Sequence, residues 1–124
     1  MNALKSLSKI AGALSDPGRA KVVLALKGRS LCICHIVEML GLSFPTVSRH
    51  VSILESAGLI VMEKRGKWTY CSLPGRDGNP AALSAIRWLQ AAATALDSGA
   101  VKALGDIGQK NCQATSKPRI RVKS

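Results

Sequence analysis

The stretch that decides the fold runs from Leu31 to Leu73 and reads LCICHIVEMLGLSFPTVSRHVSILESAGLIVMEKRGKWTYCSL. Apolar residues at Leu31, Ile36, Met39 and Leu40 mark one face of a helix, and Gly41 ends it because glycine takes the left-handed conformation at little cost. Ser43 can accept a hydrogen bond from the first turn of a following helix, where Pro45 also fits because its missing N–H is not needed. A second helix is therefore expected from about Phe44 to Ala57. Its buried side is Val47, Val51 and Leu54, which turns Ser48, Arg49, His50, Thr46 and Ser52 wholly or partly outward. Short polar groups and one Arg on such a face suit hydrogen bonding to base edges and phosphates in a DNA major groove.

Gly58 closes that helix, and LIVMEK, RGK and WTYCSL read as a β-hairpin with Gly66 at its tip. Lys64, Arg65 and Lys67 crowd the tip. A protruding basic hairpin beside a helix-turn-helix is the makeup of a winged helix, whose wing grips phosphates next to the groove. The expected fold is mainly α with a small β-hairpin wing, a dimeric winged helix-turn-helix.

These motifs also carry a resemblance. LCIC at 31–34, GLSFPTVSRHVSILESAGLI at 41–60 and RGKWTYCSL at 65–73 resemble the ArsR/SmtB group of metal- and metalloid-responsive bacterial repressors, and its arsenic-responsive branch in particular. SDPGRAKVVLAL at 15–26 is similar to that family's second helix, which opens on Asp-Pro followed shortly by Arg. The resemblance covers residues 4–97. It implies a homodimer that binds double-stranded operator DNA, with Ser43, Thr46, Ser48, Arg49 and His50 nearest the groove and Lys64, Arg65 and Lys67 on the phosphates.

At 124 residues the chain is one domain by length. A formal charge of +11 calls for a polyanion. Membrane surface competes poorly with DNA for that role, because no helix joins a Lys/Arg-rich face to a bulky apolar one and aromatics are only 3%. Apolar runs such as VVLAL at 22–26 fall far short of the roughly 18 residues of a membrane span. With no signal-type core near the start, the expected compartment is the cytoplasm, where the four cysteines stay reduced. Seven acidic residues and two His show no nucleophile, base and orienting group in register, and no Gly-rich phosphate loop is present. Neither an enzyme nor an organic cofactor is expected.

Outside the central stretch, Leu4, Leu7, Ile10, Ala11 and Leu14 place an amphipathic helix over 2–14, and Asp16 or Ser15 caps a second helix that opens at Pro17 and ends at Gly28. PGRDGNP at 74–80 reads as a loop. An Ala-rich helix over 81–96 carries Leu83, Ile86, Leu89, Ala93 and Leu96 down one side, a stripe to be covered by a second copy together with the first helix. Residues 1–97 then form the DNA-binding and dimerisation domain. Residues 98–124 are expected to be weakly helical and then, from Gln109, a disordered basic tail that adds DNA affinity or merely solubilises.

Ser30 stands where a cap for the third helix would be, which puts Cys32 and Cys34 in its first turn. On an ideal helix they lie about 200° apart, so both sulfurs close on one soft ion only if that turn distorts, and an ion that favours the distorted form weakens DNA binding by linkage. Paired thiolates are soft ligands. The resemblance implies trivalent arsenic or antimony as the inducer on Cys32 and Cys34. Family members often have a third Cys where Val37 stands, an acid at His35 and Gln at Phe44. Cys71, an external thiol or Cys112 would complete the shell, with Cys112 the more mobile candidate. His35 beside the pair also permits zinc or cadmium, although a surface helix position is the commoner reading. Redox sensing on the same fold and constitutive architectural DNA binding stay open as alternatives.

Overall fold

The computed structural model describes residues 2–116, with side chains described as far as residue 97. Five helices and three short strands follow in order: α1 (Asn2–Leu14), α2 (Pro17–Ala25), β1 (Leu31–Cys32), α3 (Ile33–Leu40), α4 (Phe44–Ser56), β2 (Val61–Arg65), β3 (Trp68–Ser72) and α5 (Pro80–Ser116). The helix boundaries follow local chemistry. Asp16 caps α2 by accepting from the Arg19 N–H, and Ser43 caps α4 by accepting from the Thr46 N–H. Gly58, at φ +79°, ends α4 in a Schellman turn: its N–H reaches Glu55 O, and the Leu59 N–H reaches back to Leu54 O. Leu54 and Leu59 are both fully buried, the apolar contact that accompanies this turn.

Val22, Val23 and Leu26 from α2, Ile36 from α3, Val47, Val51 and Leu54 from α4, Leu59 and Ile60 build one core, with Ala82 and Ile86 of α5 closing it. The sheet order is β1-β3-β2, all antiparallel. Arg65 pairs with Trp68 across a two-residue loop whose Gly66 sits at φ +64°, so β2 and β3 form the expected hairpin.

Three expectations change. Leu31 and Cys32 are not the first turn of α3; they are a strand paired with Cys71 and Tyr70, and the cap of α3 is Cys32 rather than Ser30. The stripe on α5 is largely used inside the domain, since Ile86 is buried and Leu89 packs against the core. The exposed apolar residues near it are Trp88 and Leu96 on α5 and Leu4 and Leu7 on α1, with a cleft between Leu7, Ile10, Ala81 and Trp88. Finally, α5 carries one non-helical residue, Asp97 (φ −160°, ψ 82°), after which the backbone is helical again to Ser116, past Gln109. Residues 117–124 and the side chain of Cys112 lie outside the described residues.

Candidate nucleic-acid interface and thiol pair

Helix α4 presents Thr46, Arg49 and Ser52 to solvent, with Ser48 half-buried. The Ser43 and Thr46 hydroxyls are 2.9 Å apart, so the N-terminal turn enters any groove with its polar groups already ordered. Leu42 and Phe44 add an exposed apolar rim.

His50 behaves differently from its helix neighbours. Its side chain is only 13% exposed and turns toward α2, with Nε2 3.8 Å from Asp16 Oδ2 and Nδ1 3.2 Å from Arg19 Nη1. The sequence placed it in the groove because helical periodicity leaves it on the flank, and only the tertiary partner decides which way a flank residue turns. The Asp16 carboxyl is held below the ordinary carboxylate pKa, chiefly by the hydrogen bond from the Arg19 N–H and further by His50 and the Arg19 charge.

On the wing, Lys64 and Lys67 are exposed. Arg65 is already occupied: its Nη2 is 3.1 Å from Glu63 Oε1, and its guanidinium lies 4.5 Å from the Tyr70 ring centroid. Alternation along β2 sends Lys64 to the opposite face from Glu63 and Arg65.

The thiol pair is closer than an ideal helix allows. Cys32 stands outside α3 with extended backbone (φ −68°, ψ 151°), and its Sγ accepts from the Cys34 N–H at 3.4 Å. The two sulfurs are 2.8 Å apart. Distortion of the turn is therefore not needed to bring them together, which overturns the geometric premise drawn from a helical placement of both residues. Two thiolates on one tetrahedral ion with bonds of about 2.3 Å sit about 3.7 Å apart, so the pair would open by about 1 Å to share a guest. Cys32 is buried and Cys34 half-buried, which leaves Cys34 the more accessible side. The residues present thus fit a soft ion held by two sulfurs.

His35 is buried, not on the surface. The Cys32 N–H donates to its Nδ1 at 3.2 Å, completing a reciprocal cap and fixing the proton on Nε2. That bond uses Nδ1. Cys71 is fully buried opposite Leu31, and burial, then the neighbouring Cys32 and Glu55, push its thiol up to about 12. It is a core thiol and a poor third ligand. Among the described residues no three His, Cys, Asp or Glu cluster closely enough to hold a metal ion.

A helix-turn-helix seated on a three-stranded sheet whose hairpin projects as a wing defines the winged helix-turn-helix class of regulators. Residues 16–61 match the family described as "Bacterial regulatory protein, arsR family". An HTH-type transcriptional regulator of Methanocaldococcus jannaschii is 32% identical over 71 residues, 56% of this chain and 80% of that protein. The chain belongs to the arsR family. The arsenical resistance operon repressor of Escherichia coli is 38% identical over 61 residues, 48% of this chain and 52% of the relative. A cadmium resistance transcriptional regulatory protein, a CadC homolog of Staphylococcus aureus, is 38% identical over 69 residues, 54% of this chain and 56% of the relative. The chain thus spans about half the length of these two resistance regulators. Among solved structures, the homodimeric winged helix-turn-helix domain Mb0332 of Mycobacterium bovis superposes with a TM-score of 0.61 at 23% identity, covering 74% of this chain and 83% of that one. The matched relatives are transcriptional regulators rather than enzymes. Among the described residues no helix is long and apolar enough to cross a membrane.

Proposed function

We propose that the protein is a homodimeric cytoplasmic repressor that leaves its operator when trivalent arsenic or antimony binds Cys32 and Cys34. The observation that carries this reading is the 2.8 Å approach of the two sulfurs on the residue that caps α3. Ser43, Thr46, Ser48 and Arg49 face the groove, and Lys64 and Lys67 meet the phosphates. Trp88, Leu4 and Leu7 pair with a second copy.

The switch works through the cap. A guest on Cys32 Sγ draws charge from the sulfur that accepts from the Cys34 N–H and weakens that bond, and it forces Cys34 of α3 away from Cys32, which β1 ties to the wing strand β3. Loss of a cap is worth about 1 kcal/mol, roughly a fivefold change. Shifting a two-state protein from one form to the other takes about 5.5 kcal/mol, so the cap alone is too weak and the displaced β1 pairing must supply the rest. A Cys32→Ser, Cys34→Ser double variant keeps operator binding and loses release by arsenite. Release that persists in that variant would place the sensor elsewhere.

The same separation favours a second reading, oxidation of the pair. Two thiols lose two protons and two electrons to an oxidant such as peroxide, which is reduced to water, and a disulfide forms. Operator release titrated with arsenite, antimonite, cadmium, zinc and peroxide separates the readings.

A further inference from the structure

We infer that Asp16, Arg19 and His50 form a positioning cluster that sets the angle at which α4 is presented to DNA. The inference rests on the DNA-binding reading above. Helix α4 packs through Val47, Val51 and Leu54, all fully buried. Such contacts fix which face of the helix is buried but tolerate small changes of roll and tilt, and directional bonds narrow that freedom. Those bonds converge on Arg19.

The Arg19 guanidinium donates from Nε to Ala13 O at 2.8 Å and from Nη2 to Gly12 O at 3.3 Å, gripping the last turn of α1. Its Nη1 lies 3.2 Å from His50 Nδ1 on α4. Arginine has no acceptor, so His50 Nδ1 must accept and the ring proton sits on Nε2, facing the Asp16 carboxylate at 3.8 Å. Asp16 meanwhile accepts from the Arg19 N–H at 3.1 Å. One guanidinium thus joins α1, α2 and α4. Gly18 provides the room: a Cβ there would stand 3.0 Å from Asp16 Oδ2 and 3.7 Å from His50 Nε2. His50 is therefore a positioning residue, not a reader of bases.

The test uses the full chain and selection from a random duplex library, followed by duplexes whose half-site spacing is stepped by one base pair either way. His50→Ala is expected to weaken binding about tenfold at the preferred spacing, to accept altered spacings more readily, and to select the same bases as the wild type. His50→Gln, whose carbonyl can accept from Arg19, restores the narrow spacing preference. Gly18→Ala, which crowds Asp16 while leaving every groove residue in place, broadens spacing as His50→Ala does and serves where that variant fails to fold. Loss of one base preference in each half-site at unchanged spacing would make His50 a base reader and overturn the inference, as would unchanged affinity and spacing in both variants. A wild type that selects no duplex would remove the DNA-binding reading and this inference together.

Discussion

Cys32 lies directly across the sheet from Tyr70, the residue whose ring carries the Arg65 guanidinium. The thiol pair and the wing are therefore adjacent parts of one sheet, and the wing's central cation is held by an aromatic face and an acid before any duplex arrives.

That arrangement ranks the wing cations. Each lysine that neutralises a phosphate contributes about 0.9 to the slope of log affinity against log salt. Lys67→Ala is expected to lower that slope by about one, and Arg65→Ala by much less, because Arg65 already pairs with Glu63. Operator affinity measured across a salt series checks the order.

Serine caps helices better than alanine, which offers no acceptor. Cys32→Ser should therefore keep the start of α3, with its hydroxyl accepting from the Cys34 N–H, while Cys32→Ala should be about 1 kcal/mol less stable than Cys32→Ser. Both lose the response to arsenite. Denaturant midpoints of the two variants show the difference.

Burial lifts the Cys71 thiol from 9.0 to about 12. Below the unfolded value the thiol is neutral in both states and its packing contribution is complete. As pH rises from 9.0 toward 12 the unfolded chain gives up a proton that the folded chain keeps, so stability falls. Alkaline denaturation profiles should show that decline, and Cys71→Ala should remove it while costing about 1 kcal/mol at neutral pH. In the native protein at neutral pH, iodoacetamide is expected to modify Cys34 well before Cys71.

Trp88 is 64% exposed and shares a cleft with Leu7, one turn of α1 from the exposed Leu4. Trp88→Glu would place a charge against the same patch of a second copy, with a desolvation cost on both sides. Sedimentation should show monomer at concentrations where the wild type is a dimer, and operator affinity should fall because the two half-sites are then bound independently.

What the sequence alone discloses is local. The Ser43 cap, the Pro45 start, the Gly58 stop and the Gly66 hairpin each depend on residues within one turn of one another, and they stand where the chain's chemistry put them. The strand at Leu31 and Cys32 depends on partners at 70 and 71, and a two-residue segment carries too little pattern to announce such a pairing. The direction of His50 is hidden for the same reason, since it is set by Arg19 on another helix. His35 looked polar enough for the surface, yet its bond to the Cys32 N–H makes burial tolerable. The Asp-Pro and Arg near position 16 signal only a helix opening, and the bridge they make to α4 has no signal in one sequence.

The sulfur that caps α3 also belongs to the pair that soft electrophiles meet, and they reach it past the more accessible Cys34. Whatever engages the pair, whether metalloid, oxidant or alkylating agent, changes the charge and position of the sulfur that accepts from the Cys34 N–H, so the start of the helix registers the event without registering the agent. Discrimination among poisons must then reside in how long each stays and how widely it pries the sulfurs apart, quantities governed by bond length and valence more than by the surrounding protein.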